Sequence, residues 1–298
     1  MCRFFDKRLI LKNGEDNMEQ FNTPAQIIDN NIQNGINKAN LPKLKMILLG
    51  IIAGMFIAFG GEASSLAMHG IKDVGLARTV AGAIFPCGLM LIVLVGGELF
   101  TGNCLISMAV FSKKVPCYKM LSNLVIVYFS NMLGAAFVAF CVYFCGQFDY
   151  SNGGLGAFTI KVALGKVNLS PEKAFVSGIL CNILVCLAIF MAGSAKDVAG
   201  KILAIFFPIW VFVISGFEHC VANMFYIPAG IFAAQNDTYV AQAQELYGIT
   251  PEQIESLSLS GFAQNLFPVT IGNIAGGMIF VGLVFFLIHK SKLVNKQK

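Results

Sequence analysis

Long uncharged apolar segments alternate with short polar segments along most of this chain. A helix crosses a bilayer with about 20 apolar residues at 1.5 Å each, so segments of this length predict membrane spans. The predicted spans are residues 46–68, 79–112, 120–148, 174–195, 202–236 and 261–288. The second and fifth carry an acidic residue near a glycine, at Glu98 and Glu218. We interpret each of these two as one span whose helix is broken.

Composition supports a membrane protein and changes little else. The chain has 298 residues, of which 56% are hydrophobic and only 12% charged, with a mean hydropathy of +0.72. Soluble domains are about a quarter charged, so a water-soluble enzyme is excluded. The nine cysteines have no zinc or redox spacing and are interpreted as small buried hydrophobes. We expect no metal, no cofactor and, despite the net charge of +5, no nucleic-acid partner.

The basic residues predict the orientation in the membrane. Twelve Lys and Arg residues lie at the C-terminus, just before the first span and in the alternate loops, against five in the other loops. The positive-inside rule then places both termini in the cytoplasm. We expect a cytoplasmic leader over residues 1–40, a six-span domain over 41–290 and a basic tail over 291–298. Ile28, Ile32 and Ile36 have helical spacing and predict a short amphipathic helix on the cytoplasmic surface.

The two halves of the chain resemble each other. Glu98 and Glu218 are each followed five positions later by asparagine, and each follows a proline in its own span. The third and sixth spans share a further pattern at identical spacing: Asn123, Leu124, Asn131 and Gly134 against Asn265, Leu266, Asn273 and Gly276. Residues 50–54 and 178–182 match weakly. The alternative is that these glycines and asparagines only pack helices together, but three matched pairs in one order argue for a repeat.

The repeat has consequences for the fold and the ligand. Each half holds three spans, an odd number, so the halves lie in opposite orientations across the membrane. This predicts an all-α membrane protein with an inverted 3+3 repeat, in which helices two and five are broken near the midplane. Broken helices expose N-termini that carry partial positive charge, and an anion is the natural ligand there.

Three motifs carry a family resemblance. Residues 97–103 (GELFTGN), 217–225 (FEHCVANMF) and 268–273 (PVTIGN) resemble signature motifs of the formate–nitrite transporter family. The resemblance covers about residues 20–290 and is nearest to the hydrosulfide channel branch. It implies an aquaporin-like fold in a homopentamer, with one pore in each protomer for small monovalent anions.

The resemblance also implies roles for pore residues. It implies a central site of His219, Thr101 and Asn182, with Asn182 facing the passage. It implies two apolar constrictions formed by Phe85, Leu89, Leu99, Val185 and Phe212, and a buried network of Lys166, Glu218 and Asn265. His219 is independently notable as the only histidine within a span, where ionisable groups are commonly functional. The alternatives are core packing for the apolar residues, a structural histidine, and a surface lysine in the loop after span three.

These expectations predict an anion channel that exports hydrosulfide and also conducts formate and nitrite. A bare charge is costly in an apolar constriction and a neutral acid far less so, so protonation by His219 or water would ease passage. The alternatives are a formate or nitrite channel, a proton-coupled anion transporter and a non-conducting scaffold. An enzyme is rejected because axial histidine pairs, intramembrane aspartates and the HExxH zinc motif are absent from the spans.

Overall fold

A computed structural model describes residues 21–290, which form helices joined by short connections. In chain order the helices are α1 (Pro24–Ala39), α2 (Lys43–Met68), α3 (Val74–Ile84), α4 (Cys87–Val95), α5 (Phe100–Asn103), α6 (Ser107–Phe111), α7 (Cys117–Phe144), α8 (Gly154–Val167), α9 (Pro171–Ser194), α10 (Val198–Ser215), α11 (Cys220–Ala233), α12 (Asp237–Tyr247), α13 (Pro251–Glu255), α14 (Leu259–Ala275) and α15 (Val284–Lys290). Two 3-10 turns, Cys104–Ile106 and Gln147–Asp149, and a π-helix, Gly276–Leu283, complete the described segments.

Within residues 21–290, six segments are long and apolar enough to cross a membrane, which confirms the predicted six-span fold. They are Lys43–Met68, Val74–Val95, Cys117–Phe144, Pro171–Ser194, Val198–Ser215 and Leu259–Lys290. Two shorter apolar helices, Phe100–Phe111 and Cys220–Ala233, follow the second and fifth of them. Residues 1–20 and 291–298, the leader and most of the basic tail, lie outside the described residues.

The second and fifth spans are broken at the predicted places. Helix α4 ends at Gly96 with φ of 109°, and α10 ends at Gly216 with φ of 69°. Glycine adopts these angles without a Cβ clash, so each helix can stop inside the membrane. The chain is then extended at Leu99 and at His219, and a second half-helix begins at the next residue.

Three helix boundaries differ from the sequence predictions. Pro86 separates α3 from α4, so the second span is also interrupted upstream of its main break. The third span ends at Phe144 rather than 148, because Gly146 adopts a left-handed φ of 76° and turns the chain. The last span contains the π-helix, which apolar periodicity does not reveal.

Glycines let the long helices approach closely within each half. A Cβ on Gly54 of α2 would lie 2.1 Å from the Asn131 carbonyl oxygen of α7. A Cβ on Gly276, the repeat glycine of the sixth span, would lie 2.4 Å from the Ile179 carbonyl oxygen of α9. The glycines of the repeat therefore serve helix packing, as the alternative interpretation held.

Helix α1 packs its apolar side chains against the rest of the protein. Thr23 caps its first turn, and Ile28 and Ile32 are 1% and 3% exposed. A Cβ on Gly35 would contact Ala109 at 3.1 Å, so α1 lies directly beneath the half-helix that follows the first break. The apolar stripe of α1 is thus part of the protein core.

The segment between spans three and four is a buried helix. Lys166, expected in a loop, lies in the last turn of α8, most of which is buried. Because α2, the broken second span and α7 each cross the membrane once, three crossings separate α1 from α8, and α8 lies on the side opposite α1. Helices α12 and α13 lie on that same side, and the Tyr239 hydroxyl donates to Asp149 Oδ1 at 2.6 Å.

Candidate functional site

A chain of polar side chains surrounds the carboxylate of the fifth span. Lys166 Nζ lies 2.9 Å from Glu218 Oε1, and Asn223 Nδ2 donates to Glu218 Oε2 at 2.6 Å. The same Asn223 amide donates to Asn265 Oδ1, and Asn265 Nδ2 donates to the Lys166 carbonyl at 2.8 Å. The structure thus brings together Lys166, Glu218 and Asn265, the three residues expected in this network.

An equivalent network surrounds Glu98 in the second span. Lys38 Nζ lies 2.7 Å from Glu98 Oε1, and Asn103 Nδ2 donates to Glu98 Oε2 at 2.7 Å. Asn103 also donates to Asn123 Oδ1, and Asn123 Nδ2 donates to the Lys38 carbonyl at 3.1 Å. Each contact repeats one in the other half, so the internal repeat extends to a lysine in each half.

Sequence analysis missed Lys38 and the role of its asparagine partners. A signal existed, because Lys38 precedes Gly50 by the same twelve positions that separate Lys166 from Gly178. Lys38 lies upstream of the first apolar segment, outside the spans whose patterns predict the repeat.

Two further asparagines hold the broken ends in place. Asn131 Oδ1 accepts from the Phe100 N–H, while its Nδ2 donates to the Gly50 and Glu98 carbonyls at 2.7 and 2.9 Å. Asn273 makes the corresponding bonds to the Cys220 N–H and to the Gly178 and Glu218 carbonyls. Both asparagines are fully buried. Each satisfies backbone groups that the helix break leaves without partners.

His219 and Thr101 meet between the two breaks. His219 Nδ1 accepts from the Ala222 N–H at 3.1 Å, so the neutral ring carries its proton on Nε2. Nε2–H then donates to Thr101 Oγ1 at 3.0 Å. The ring is 2% exposed and the threonine is fully buried. Protonation of Nδ1 would break the bond to Ala222, so this geometry favours a neutral histidine that donates from Nε2.

Asn182 joins the two breaks to each other. Its Nδ2 donates to the Thr101 carbonyl at 3.2 Å and to the Asn273 carbonyl at 2.6 Å. The side chain is fully buried. The amide expected to face the passage therefore bonds to backbone carbonyls, and its clearest role is to fix the position of Thr101.

Two aromatic rings lie next to the His219–Thr101 pair. Phe85 and Phe212 lie edge to face with centroids 5.4 Å apart, and the Phe212 ring is 5.9 Å from the His219 ring. This arrangement places the two aromatic rings that were expected to form a constriction directly against the central histidine. The other expected constriction residues share the same buried core, at 2–3% exposure: Leu89, Leu99 and Val185.

The charges beside the breaks are balanced. Each glutamate is paired with one lysine, so the carboxylates leave no net negative charge next to the half-helix N-termini. A cleft on the α1 side leads to Glu98 and is lined by Asn34, Asn37, Lys38, Leu41, Lys45 and Leu49. Within residues 21–290, His, Cys, Asp and Glu side chains form no group of three or more that could hold a metal ion.

Known proteins match this chain along most of its length. The family model described as formate/nitrite transporter matches residues 25–287. The formate channel BtFdhC of Bacillus thuringiensis is 36% identical over 283 residues, covering 93% of this chain and 99% of the relative. The formate channel FocA of Haemophilus influenzae is 37% identical over 264 residues, covering 88% and 92%.

Solved structures agree with the fold. A pentameric formate channel with formate bound superposes with a TM-score of 0.74 at 33% identity, covering 84% of this chain and 98% of that one. Family, relatives and structure all describe transporters and channels. The chain is therefore a multi-pass membrane protein and belongs to the formate/nitrite transporter family.

Proposed function

We propose that this protein is a channel for small monovalent anions and that formate is its main substrate. The observation that carries the proposal is the buried His219–Thr101 pair, which offers hydrogen-bond donors between two helix breaks whose glutamates are already neutralised by lysine. Such a centre attracts a negative charge, while the Phe85–Phe212 pair excludes its hydration water. The formate channels among its relatives support the choice of formate.

Hydrosulfide remains a comparison anion in this proposal. The sequence resemblance placed it first, whereas the named relatives are formate channels and favour formate. Formate, nitrite and hydrosulfide are all small bases of weak acids, so one centre can accept each of them. Their relative fluxes decide among them.

The proposed passage works by hydrogen bonding at the centre. An anion that loses water at the aromatic constriction accepts from the Nε2–H of His219, in place of Thr101 Oγ1, and from the hydroxyl of Thr101. A bare charge is costly in such surroundings, so a proton taken from water on the same side would lower the barrier. On this proposal the acid crosses the constriction and returns that proton to water on the other side. His219 stays neutral because its Nδ1 holds the Ala222 N–H.

We further propose the orientation and the assembly. Both termini face the cytoplasm by the distribution of Lys and Arg. The chain forms a homopentamer, supported by the pentameric formate channel that it resembles. The channel domain spans residues 41–290, although α1 contributes Lys38 to it.

Flux in proteoliposomes tests the function. Purified protein is reconstituted, and uptake of formate, nitrite, hydrosulfide and chloride is compared across pH with His219→Ala. His289→Ala, a histidine at the far end of the last span, is the matched control. We expect formate to cross fastest, chloride slowest, and only His219→Ala to reduce the flux. Equal flux of all four anions, unchanged in His219→Ala, would refute the role of the central pair.

Electrical recording tests the mode of transport. Voltage-clamped bilayers containing the protein should carry formate currents far above the turnover of a carrier. Currents limited to carrier turnover, together with proton uptake in step with formate, would identify a proton-coupled transporter instead.

A further inference from the structure

Arg78 lies at one end of the aromatic constriction. Arg78 lies on α3, seven residues or about two helical turns before Phe85, which directly follows that helix and keeps its helical conformation. The two side chains therefore lie on nearly the same face. Gly216 follows Phe212 by four residues, about one turn of the facing helix α10. Arg78 and Gly216 therefore form a second pair, which lies next to the Phe85–Phe212 pair on the side facing away from α1.

The absence of a side chain at Gly216 leaves room for the Arg78 guanidinium. A Cβ built on Gly216 would lie 2.4 Å from Arg78 Nη1 and 3.1 Å from Cζ. Any larger residue would thus displace the guanidinium, and the φ of 69° independently favours glycine. The plane of the arginine lies against the backbone where α10 ends and the fifth span breaks.

The N–H donors of Arg78 have no partner among residues 21–290. No hydrogen bond or ion pair in the part of the chain that the structure describes engages them, and the side chain is exposed. Lys38 and Lys166, by contrast, each hold a carboxylate. Asp73, the acid nearest along the chain, instead accepts from the Leu76 N–H as the cap of α3.

A purely structural role as a cap of α10 is the simpler alternative. A cation near a helix C-terminus interacts favourably with the helix dipole. Yet the turn at Gly216 already closes the helix, because the Gly216 and Phe217 N–H groups donate to the Val213 and Phe212 carbonyls. No carbonyl at this helix end accepts a hydrogen bond from Arg78.

We propose that Arg78 is a specificity residue that captures planar two-oxygen anions before they reach the constriction. Its guanidinium presents two parallel N–H groups, which match the two oxygens of a carboxylate or of nitrite. Hydrosulfide and chloride present one acceptor atom, so the two parallel N–H groups can only converge on it with bent and weaker hydrogen bonds. The inference rests on the proposed function, since it concerns how formate enters that same passage.

The test separates charge from geometry. Initial formate and hydrosulfide uptake into proteoliposomes is measured against anion concentration for wild type, Arg78→Lys and Arg78→Gln. Lys72→Gln, which removes an exposed cation on the same side, is the control. Arg78→Lys should raise the half-saturating formate concentration about twofold to fivefold, the size expected for an exposed ion pair, with maximal flux unchanged. Its hydrosulfide curve should match wild type, whereas Arg78→Gln should weaken both anions.

Each outcome has one meaning. Unchanged formate curves in both Arg78 variants, or equal shifts for formate and hydrosulfide in Arg78→Lys, overturn the inference while the anion channel stands. A cap role predicts a loss of stability and of maximal flux without a change in half-saturation. Wild-type protein that carries no formate would refute the proposed function and this inference together.

Discussion

Removal of Lys166 should destabilise the protein more than removal of Lys38. The Lys166 ammonium lies 2.9 Å from the Glu218 carboxylate, whose side chain is only 8% exposed. At an effective dielectric constant of 20 their attraction is about 6 kcal/mol, much of which offsets the cost of removing both charges from water. Lys166→Met would leave a buried carboxylate unpaired, at about 3–5 kcal/mol. The Lys38 side chain is 31% exposed and the Lys166 side chain 16%. Water can therefore compensate better for the loss of the Lys38 ammonium than for the loss of the Lys166 ammonium.

The measurement is thermal unfolding in detergent, followed by loss of the intact assembly on size exclusion. The unfolding midpoint should fall furthest for Lys166→Met and less for Lys38→Met. The double variant Lys166→Met/Glu218→Gln should recover most of the loss, because the neutral amide no longer needs a counter-charge. If the double variant is as unstable as Lys166→Met alone, an unpaired carboxylate is not the cause and the reasoning fails. Equal midpoints for the two single lysine variants would refute the argument from burial.

Two further predictions concern packing and pH. Gly134→Ala should prevent stable assembly, because its Cβ would lie 2.0 Å from the Ile51 carbonyl oxygen; Gly165→Ala, with no neighbour within 4 Å, should be neutral or slightly stabilising by helix propensity. Expression and size-exclusion profiles decide this, and equal behaviour of the two variants would contradict it. Burial, and after it the hydrogen bond to Asp149, raises the pKa of Tyr239 above its ordinary value of about 10. The contact of the neutral phenol therefore stabilises the fold fully below about pH 10, and this stabilisation is lost as the pH rises from there through the raised pKa. Tyr239→Phe should therefore lower the free energy of unfolding at neutral pH by about 2 kcal/mol, which a lower unfolding midpoint would report. The difference in midpoint between this variant and wild type should narrow as the pH rises past about 10. A difference in midpoint that stays constant with pH would exclude the Tyr239–Asp149 hydrogen bond as the cause.

The spans and their breaks could be predicted because their signals are local. An uncharged apolar segment long enough to cross a bilayer predicts a span wherever it occurs in the sequence. A glutamate in mid-span that is followed five positions later by asparagine, as at Glu98 and Glu218, indicates a break, and the structure has glycines with positive φ just before both, at Gly96 and Gly216. Neither signal depends on contacts with distant parts of the chain.

The docking of α1 and α8 could not be predicted in the same way. Both helices are polar enough, or short enough, to resemble surface segments when taken alone. What buries them is contact with the half-helices and with the glutamates, 60 positions away for Lys38 and 52 for Lys166. Such pairings follow from the folded arrangement, and only the repeated spacing from lysine to glycine hints at them.

The repeat also separates the residues that build the passage from those that give it chemistry. Both halves use the same Lys, Glu and Asn contacts, so these residues build two equivalent breaks. At the centre the equivalence ends. By the spacing of the repeated motif, His219 corresponds to Leu99, and Thr101 to Val221. Polar hydrogen-bonding groups therefore lie where the other half has apolar ones, and the His219–Thr101 contact has no counterpart. Substitutions at the repeated positions should therefore change stability first, and those at the two unrepeated positions should change which anion passes.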